Sequence, residues 1–153
     1  MMKIVTDDSF MTTLRWFRDE TELRQWAGPN FRFPFDEQSF KADLTVKSLA
    51  SRVLLSEQQE LLAFGQYYGR LDRCHLGRLA VSPEHRGQGV AATLMGALID
   101  EGRTVLDVAE ASLFVLANHE SALRAYRRFG FGEADYPEQL PLENCLYLTY
   151  QDS

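Results

Sequence analysis

The sequence predicts an α/β protein built on a mixed central sheet, antiparallel early and parallel across the middle. Three observations lead there. Residues 53–55, 61–68 and 74–81 are β-rich runs separated by the short polar stretches 57–60 and 69–73, which suits an antiparallel meander. A glycine-rich bend at residues 86–91 then opens a helical pattern, in which Val90, Leu94 and Leu98 recur every fourth residue alongside Ala91, Met95 and Ile99. Residues 111–116 are almost wholly apolar, as expected of a strand covered on both faces, and strand, helix, strand implies a crossover between parallel neighbours.

The remaining elements follow in order. Residues 3–5 form a short candidate strand, Ser9 is placed to cap a helix through Phe17, a second helix spans residues 20–26 before Gly28-Pro29, and a third begins at Asp36 or Ser39 and runs to about Lys47. Past the apolar run, Asn118 is placed to cap a helix that carries Ala122, Tyr126 and Phe129 on one side, and Gly130 supplies the left-handed residue that ends it. Two closing strands are expected near residues 131–135 and 145–150.

At 153 residues and 45% hydrophobic, the chain is sized for one domain, residues 1–153, with a core of its own. The start of the chain turns acidic at Asp7-Asp8 before any long apolar run, which matches neither a secretory signal nor a membrane span and leads to an expected cytoplasmic location. The two cysteines, Cys74 and Cys145, show neither metal-ligand nor Cys-x-x-Cys spacing, so no metal site is expected. A net charge of −6 argues against sequence-independent binding to nucleic acid, where cations must replace counterions.

The bend carries the chemistry. Gly87 and Gly89 lack a Cβ, so the backbone through Arg86, Gly87, Gln88, Gly89, Val90 and Ala91 can curl until successive amides converge where a helix presents its unpaired N–H groups and positive dipole end. That arrangement is a phosphate cradle. The pattern is not a nucleoside-triphosphate loop, because no Gly-Lys-Ser/Thr follows. Nor does a bend of two glycines after an antiparallel meander fit a dinucleotide fold.

The Arg-x-x-Gly-x-Ala pattern at Arg86 to Ala91, followed by Asn118-x-x-x-Ala122-x-x-x-Tyr126-x-x-x-Gly130-Phe131, resembles the GNAT superfamily of acetyl-CoA-dependent N-acetyltransferases. The resemblance implies a mixed, mostly antiparallel sheet with its parallel middle strands splayed apart and helices on both faces, in a single-domain N-acetyltransferase that moves acetyl from acetyl-CoA to a primary amine of a small molecule or peptide. Pyrophosphate would rest on the amides of Gly87 to Ala91, with Arg86 adding charge. The strand holding Leu79, Ala80 and Val81 would splay from the one at residues 113–116, so that the peptide-like pantetheine arm inserts between them as an added strand does. Asn118 would touch that arm or fix the helix start, and Tyr126 would protonate the leaving thiolate. The plain alternative for Tyr126 is a core aromatic.

The resemblance also frames what differs. Members acting on histone lysines place a glutamate six residues before the position of Val81, and this chain has His75 there, an imidazole that could relay a proton. Members acting on ribosomal-protein N-termini place a glutamate five residues before the position of Asn118; here that residue is Leu113, which counts against that substrate class. The family forms one wall of the acceptor site from the segment that here holds Trp26, Phe31 and Phe33. A homodimer is compatible with such a fold. The rival reading from another class is a catalytically silent acyl-CoA sensor, which would bind the cofactor and turn nothing over.

Overall fold

A computed structural model describes residues 2–4, 12–13, 15–16, 50–137, 140 and 144–151. Strand β1 (Met2–Ile4) pairs antiparallel with β2 (Ala50–Leu55), β2 with β3 (Leu61–Arg70), and β3 with β4 (Arg73–Val81). Helix α1 (Val90–Leu106) crosses to β5 (Glu110–Leu116), which lies parallel to β4, and helix α2 (Glu120–Phe129) leads to β6 (Gly132–Ala134) and β7 (Cys145–Gln151). The strands form one seven-stranded sheet in the order β1-β2-β3-β4-β5-β7-β6. Apart from the β4–β5 pair, every neighbouring pair is antiparallel. The mixed sheet expected from the sequence is therefore the one formed.

Three local departures have physical reasons. The β3–β4 hairpin is tighter than the five polar residues 69–73 suggested: only Leu71 and Asp72 lie outside the ladder, both at positive φ (51° and 60°), as the favoured two-residue hairpin turn requires. Asn118 is not the helix-capping residue. His119 stands at the start of α2 without a side-chain cap bond, and Asn118 is exposed. The helices expected at residues 20–26 and from Asp36 or Ser39 to Lys47 fall outside the described residues, as does most of the one expected from Ser9, of which Thr12 and Thr13 are helical.

The core lies between one sheet face and the two helices. Alternation along the strands sends Leu54, Ala63, Tyr67, Cys74, Leu76, Ala111, Leu113 and Leu148 to this side, where they meet Leu94, Met95, Leu98 and Ile99 of α1 and Leu123 of α2. The expected apolar stripe of α1 is thus the stripe that is buried, with Gly102 added to it. The end of α2 is closed as the sequence suggested: the Gly130 amide donates to the carbonyls of Tyr126 and Arg127, and the Phe131 amide to that of Tyr126.

The opposite face differs in character. It buries Ser51, Gln66, His75 and Ser112 beside Val53, Phe64 and Tyr147. These polar groups are partnered, as burial demands. Gln66 Nε2 donates to Ser51 Oγ at 2.9 Å, Arg78 donates to Gln66 Oε1 at 2.9 Å, and His75 Nδ1 is hydrogen-bonded to Ser112 Oγ at 2.8 Å.

Helix α1 sits so close to the sheet that a β-carbon on Gly102 would overlap Sγ of Cys74. Replacing Gly102 with valine should therefore lower stability by about 1–3 kcal/mol. A urea melt of Gly102→Val should show a reduced midpoint, and an unchanged midpoint would mean that helix and sheet do not meet there.

Candidate active site

Strands β4 and β5 pair only through Arg73–Glu110, Cys74–Ala111, His75–Ser112 and Leu76–Leu113. Beyond Leu76 and Leu113 both strands continue, to Val81 and Leu116, without pairing to each other. Each keeps its outer partner: Ala80 and Val81 face Phe64 and Ala63 of β3, while Phe114, Val115 and Leu116 face Tyr147, Leu146 and Cys145 of β7. The sheet is thus split from its middle, and the inner edges of β4 and β5 are left open.

A bulge accompanies the split. Between the pairs Gln66–Gly77 and Phe64–Ala80, β4 advances three residues while β3 advances two, so β4 carries one extra residue. Arg78, within that extra length, has φ 51°, a left-handed backbone rarely adopted by a branched-chain or long side chain outside tight features. Bulges bend and twist the strand that holds them. Here the Arg78 guanidinium is tied to Gln66, which is in turn tied to Ser51, so the deviating residue is held by a buried polar chain.

From Val81 the chain passes through a 3-10 turn at Pro83–His85 and enters the glycine bend. Gly87 and Gly89 both lie in the left-handed region (φ 79° and 78°), and Gly89 immediately precedes α1. Arg86, Gly87, Gln88 and Gly89 are exposed, Val90 and Ala91 partly so. No side chain caps the helix and no acidic residue stands in its first turn, so its amides and dipole end have no competing carboxylate among the described residues. A β-carbon on Gly87 or Gly89 would meet nothing within 4 Å, so the space over the bend is open. The bend thus has the form that a diphosphate needs.

The second motif comes to the same neighbourhood. Burial, and secondarily the nearby Arg86 guanidinium, hold the His119 imidazole below its ordinary pKa, which brings the bend and the start of α2 within electrostatic reach of each other. Asn118, one residue earlier, makes no side-chain hydrogen bond among the described residues. Tyr126, on α2, packs against the core with its ring 6.3 Å from that of Phe131. Burial raises its phenol to about 12, so Oη keeps its proton throughout the neutral range.

His75 lies away from the open edges, on the paired half of β4. It is 2% exposed, its ring is 5.2 Å from Tyr68 and 4.7 Å from Phe114, and burial, aided by Arg70, pushes its pKa down to about 3. The imidazole is therefore neutral and a weak base. Both cysteines are buried, and burial raises both thiols, that of Cys74 to about 11. Neither is ionised enough to act as a nucleophile. Among the described residues no cluster of His, Cys, Asp or Glu could hold a metal ion. Trp26, Phe31 and Phe33 lie outside the described residues.

Comparison with known proteins agrees with this geometry. The model of the acetyltransferase (GNAT) family matches residues 20–131. The chain therefore belongs to the GNAT acetyltransferase family, and it is an N-acetyltransferase of the kind that draws on acetyl-CoA. Solved structures share the fold. The ribosomal-protein-S18-alanine N-acetyltransferase of Escherichia coli is 24% identical at a TM-score of 0.67, with 99% of this chain and 92% of that one covered. The spermidine N-acetyltransferase of Vibrio cholerae, solved with CoA and spermine, is 16% identical at 0.73, with 99% and 94% covered. The ribosomal-protein-alanine N-acetyltransferase of Brucella melitensis is 19% identical at 0.72, with 99% of both chains covered. Among the described residues no helix is long and apolar enough to cross a membrane.

Some features of the site have weak sequence signals. The bulge at Arg78 has none, since arginine does not mark a left-handed residue. The polar and aromatic face formed by Tyr68, Arg70, His75, Ser112 and Phe114 was legible only as a period of two running beneath apolar strands.

Two outcomes follow. Gly89→Val places a β-carbon over the bend and forces a β-branched residue to positive φ; it should abolish CoA binding in a calorimetric titration while costing about 1–2 kcal/mol of stability. Retained tight binding would remove the bend as the phosphate site. Because His75 is held neutral when folded but protonates near pH 6.5 when unfolded, the unfolded chain binds the extra proton between those values. Stability should therefore fall as pH drops from about 6.5 toward 3, with a slope of about 1.4 kcal/mol per pH unit from this group. His75→Gln should remove that component of the slope, and an identical profile would contradict the buried neutral state.

Proposed function

We propose that the chain transfers acetyl from acetyl-CoA directly to a primary amine of a small molecule or peptide, without an acyl-enzyme. The observation that carries this reading is the end of β4–β5 pairing after Leu76 and Leu113, next to an open glycine bend at a helix start. In this reading the amides of Gly87, Gln88, Gly89, Val90 and Ala91 hold the pyrophosphate, and Arg86 adds charge. Main-chain groups of Leu79, Ala80 and Val81 bind the pantetheine arm, and Asn118, whose side chain makes no hydrogen bond among the described residues, contacts the same arm. When bound, acetyl-CoA supplies an activated acyl group and a thiolate that must be protonated or solvated as it leaves.

Tyr126 is the general acid in this proposal. A phenol raised to about 12 is protonated at neutral pH, which is the state a proton donor needs. His75 enters differently from the relay expected of its position. An imidazole with a pKa near 3 does not hold a proton at neutral pH, so we assign it to positioning, through Ser112 and Phe114, the stretch of β5 where the strands part. The protonated, buried cysteines favour direct transfer. Trp26, Phe31 and Phe33 remain assigned to the acceptor wall by family resemblance. That the fold neighbours are named for acting on ribosomal-protein alanine and on spermidine supports an amine as acceptor.

Thiol release from acetyl-CoA over a panel of amino acids, peptides, polyamines and aminoglycosides tests the reading. Some amine should support release; tight acetyl-CoA binding with no release for any of them would instead make the chain a silent sensor. With an active acceptor, Tyr126→Phe should lower kcat by about 100- to 10,000-fold with acetyl-CoA affinity nearly unchanged. An unaltered kcat would remove Tyr126 from the chemistry.

A further inference from the structure

The polar face of the sheet carries a cation that the family reading leaves unused. Arg70, at the end of β3, reaches back over the point where β4 and β5 separate: its guanidinium lies 5.2 Å from the ring centroid of Phe114, the first β5 residue past the last β4–β5 pair. Among the described residues its only close polar partners are phenols. Nε donates to Tyr136 Oη at 2.8 Å, with Tyr68 also alongside, and the Tyr136 ring centroid is 5.6 Å away. The other arginines of strands β2 to β4 are neutralised or bonded. Arg73 pairs with Glu110 at 2.9 Å, Arg52 with Glu101 at 3.0 Å, and Arg78 is bonded to Gln66.

Arg70 has no carboxylate partner among the described residues, although the chain carries a net charge of −6. It is only partly exposed and is braced by aromatic rings, so it is held in place more firmly than a surface arginine. A guanidinium has five N–H donors, and its planar fork matches a carboxylate with two parallel hydrogen bonds. The aromatic walls around it strengthen such a pair by lowering the local dielectric.

The position decides what that carboxylate belongs to. Helix α1, whose start carries the glycine bend, packs on the opposite face of the sheet, and the arm proposed above runs between the open edges toward Leu76 and Leu113. Neither α1 nor α2 packs on the face that holds Arg70, Tyr68 and Phe114, and these three side chains stay partly exposed there, within reach of an attacking amine. From this juxtaposition we propose that the acceptor is an amine bearing a carboxylate within a few bonds of the reacting nitrogen, an amino acid or similar amino-carboxylate, and that Arg70 binds that carboxylate. Polyamines, which would bring further positive charge to Arg70, are excluded by the same group. The proposal rests on the transfer reading and sets its substrate class.

Matched acceptors test it with the full-length chain: phenylalanine and methionine against their amides, against phenethylamine, and against spermidine, each assayed by thiol release from acetyl-CoA. The free carboxylates should be preferred in kcat/KM by about 10- to 100-fold. Arg70→Gln should raise KM for them by about the same factor, with a smaller change in kcat, and should erase the preference; Arg70→Lys should keep part of it. Acetyl-CoA affinity should stay as in the parent chain for both variants, which also reports that they are folded. Preference for amides, phenethylamine or spermidine in the parent chain, or an Arg70→Gln variant that binds acetyl-CoA and retains the carboxylate preference, would overturn the assignment of Arg70 while leaving acetyl transfer standing. Acetyl-CoA binding without thiol release from any amine would overturn both.

Discussion

Two strands that stop pairing halfway along the sheet are the constraint on which the rest of this structure depends. The β4–β5 ladder ends after Leu76 and Leu113, yet neither strand ends there, because each is still hydrogen-bonded on its far side to β3 or β7. The opening is therefore flanked on both sides by paired strands. A strand edge with unpaired amides and carbonyls is a template for any extended, amide-bearing chain, and normally a sheet hides such an edge at its rim or covers it. Here it lies in the centre of the sheet, one short turn away from a helix start whose amides are also uncapped.

The two halves are held apart by ordinary packing. On one face α1 and α2 fill the space with a continuous apolar core, and Gly102 lets α1 approach Cys74 closely. On the other, the chain from Arg78 through Gln66 to Ser51 supports a left-handed residue in the bulge of β4, and the His75–Ser112 bond ties β4 to β5 just before they separate. Breaking a buried hydrogen-bonded pair leaves an unsatisfied group behind, so these polar contacts fix the geometry more than they raise stability.

Much of this was legible in the residues. The alternation of the meander, the four-residue recurrence in α1 and the punctuation by Gly87, Gly89 and Gly130 each have one local physical cause, and each element formed where that cause placed it. The structure departed from the sequence where the cause was not local. Leu71 and Asp72 make a tight hairpin turn at positive φ because β3 and β4 pair right up to Arg70 and Arg73, and no glycine advertises it. The left-handed Arg78 is dictated by a register shift against β3. Asn118 suits a cap by residue type, whereas α2 begins at Glu120 with His119 ahead of it. At His75 the position suggested a proton relay; only three-dimensional burial between Tyr68 and Phe114 reveals how weak a base it is. Arg70 gives no signal in the sequence, because its surroundings are rings contributed by β5 and by the segment after β6.

Hydrogen–deuterium exchange with and without CoA tests the open edge most directly. Binding should slow exchange in segments covering residues 77–81 of β4 and 114–116 of β5 together with residues 86–91, while residues 73–76, already paired, change little. Protection confined to the glycine bend, or absent from both inner edges, would mean that the arm does not lie between the strands and that the split sheet serves some other end.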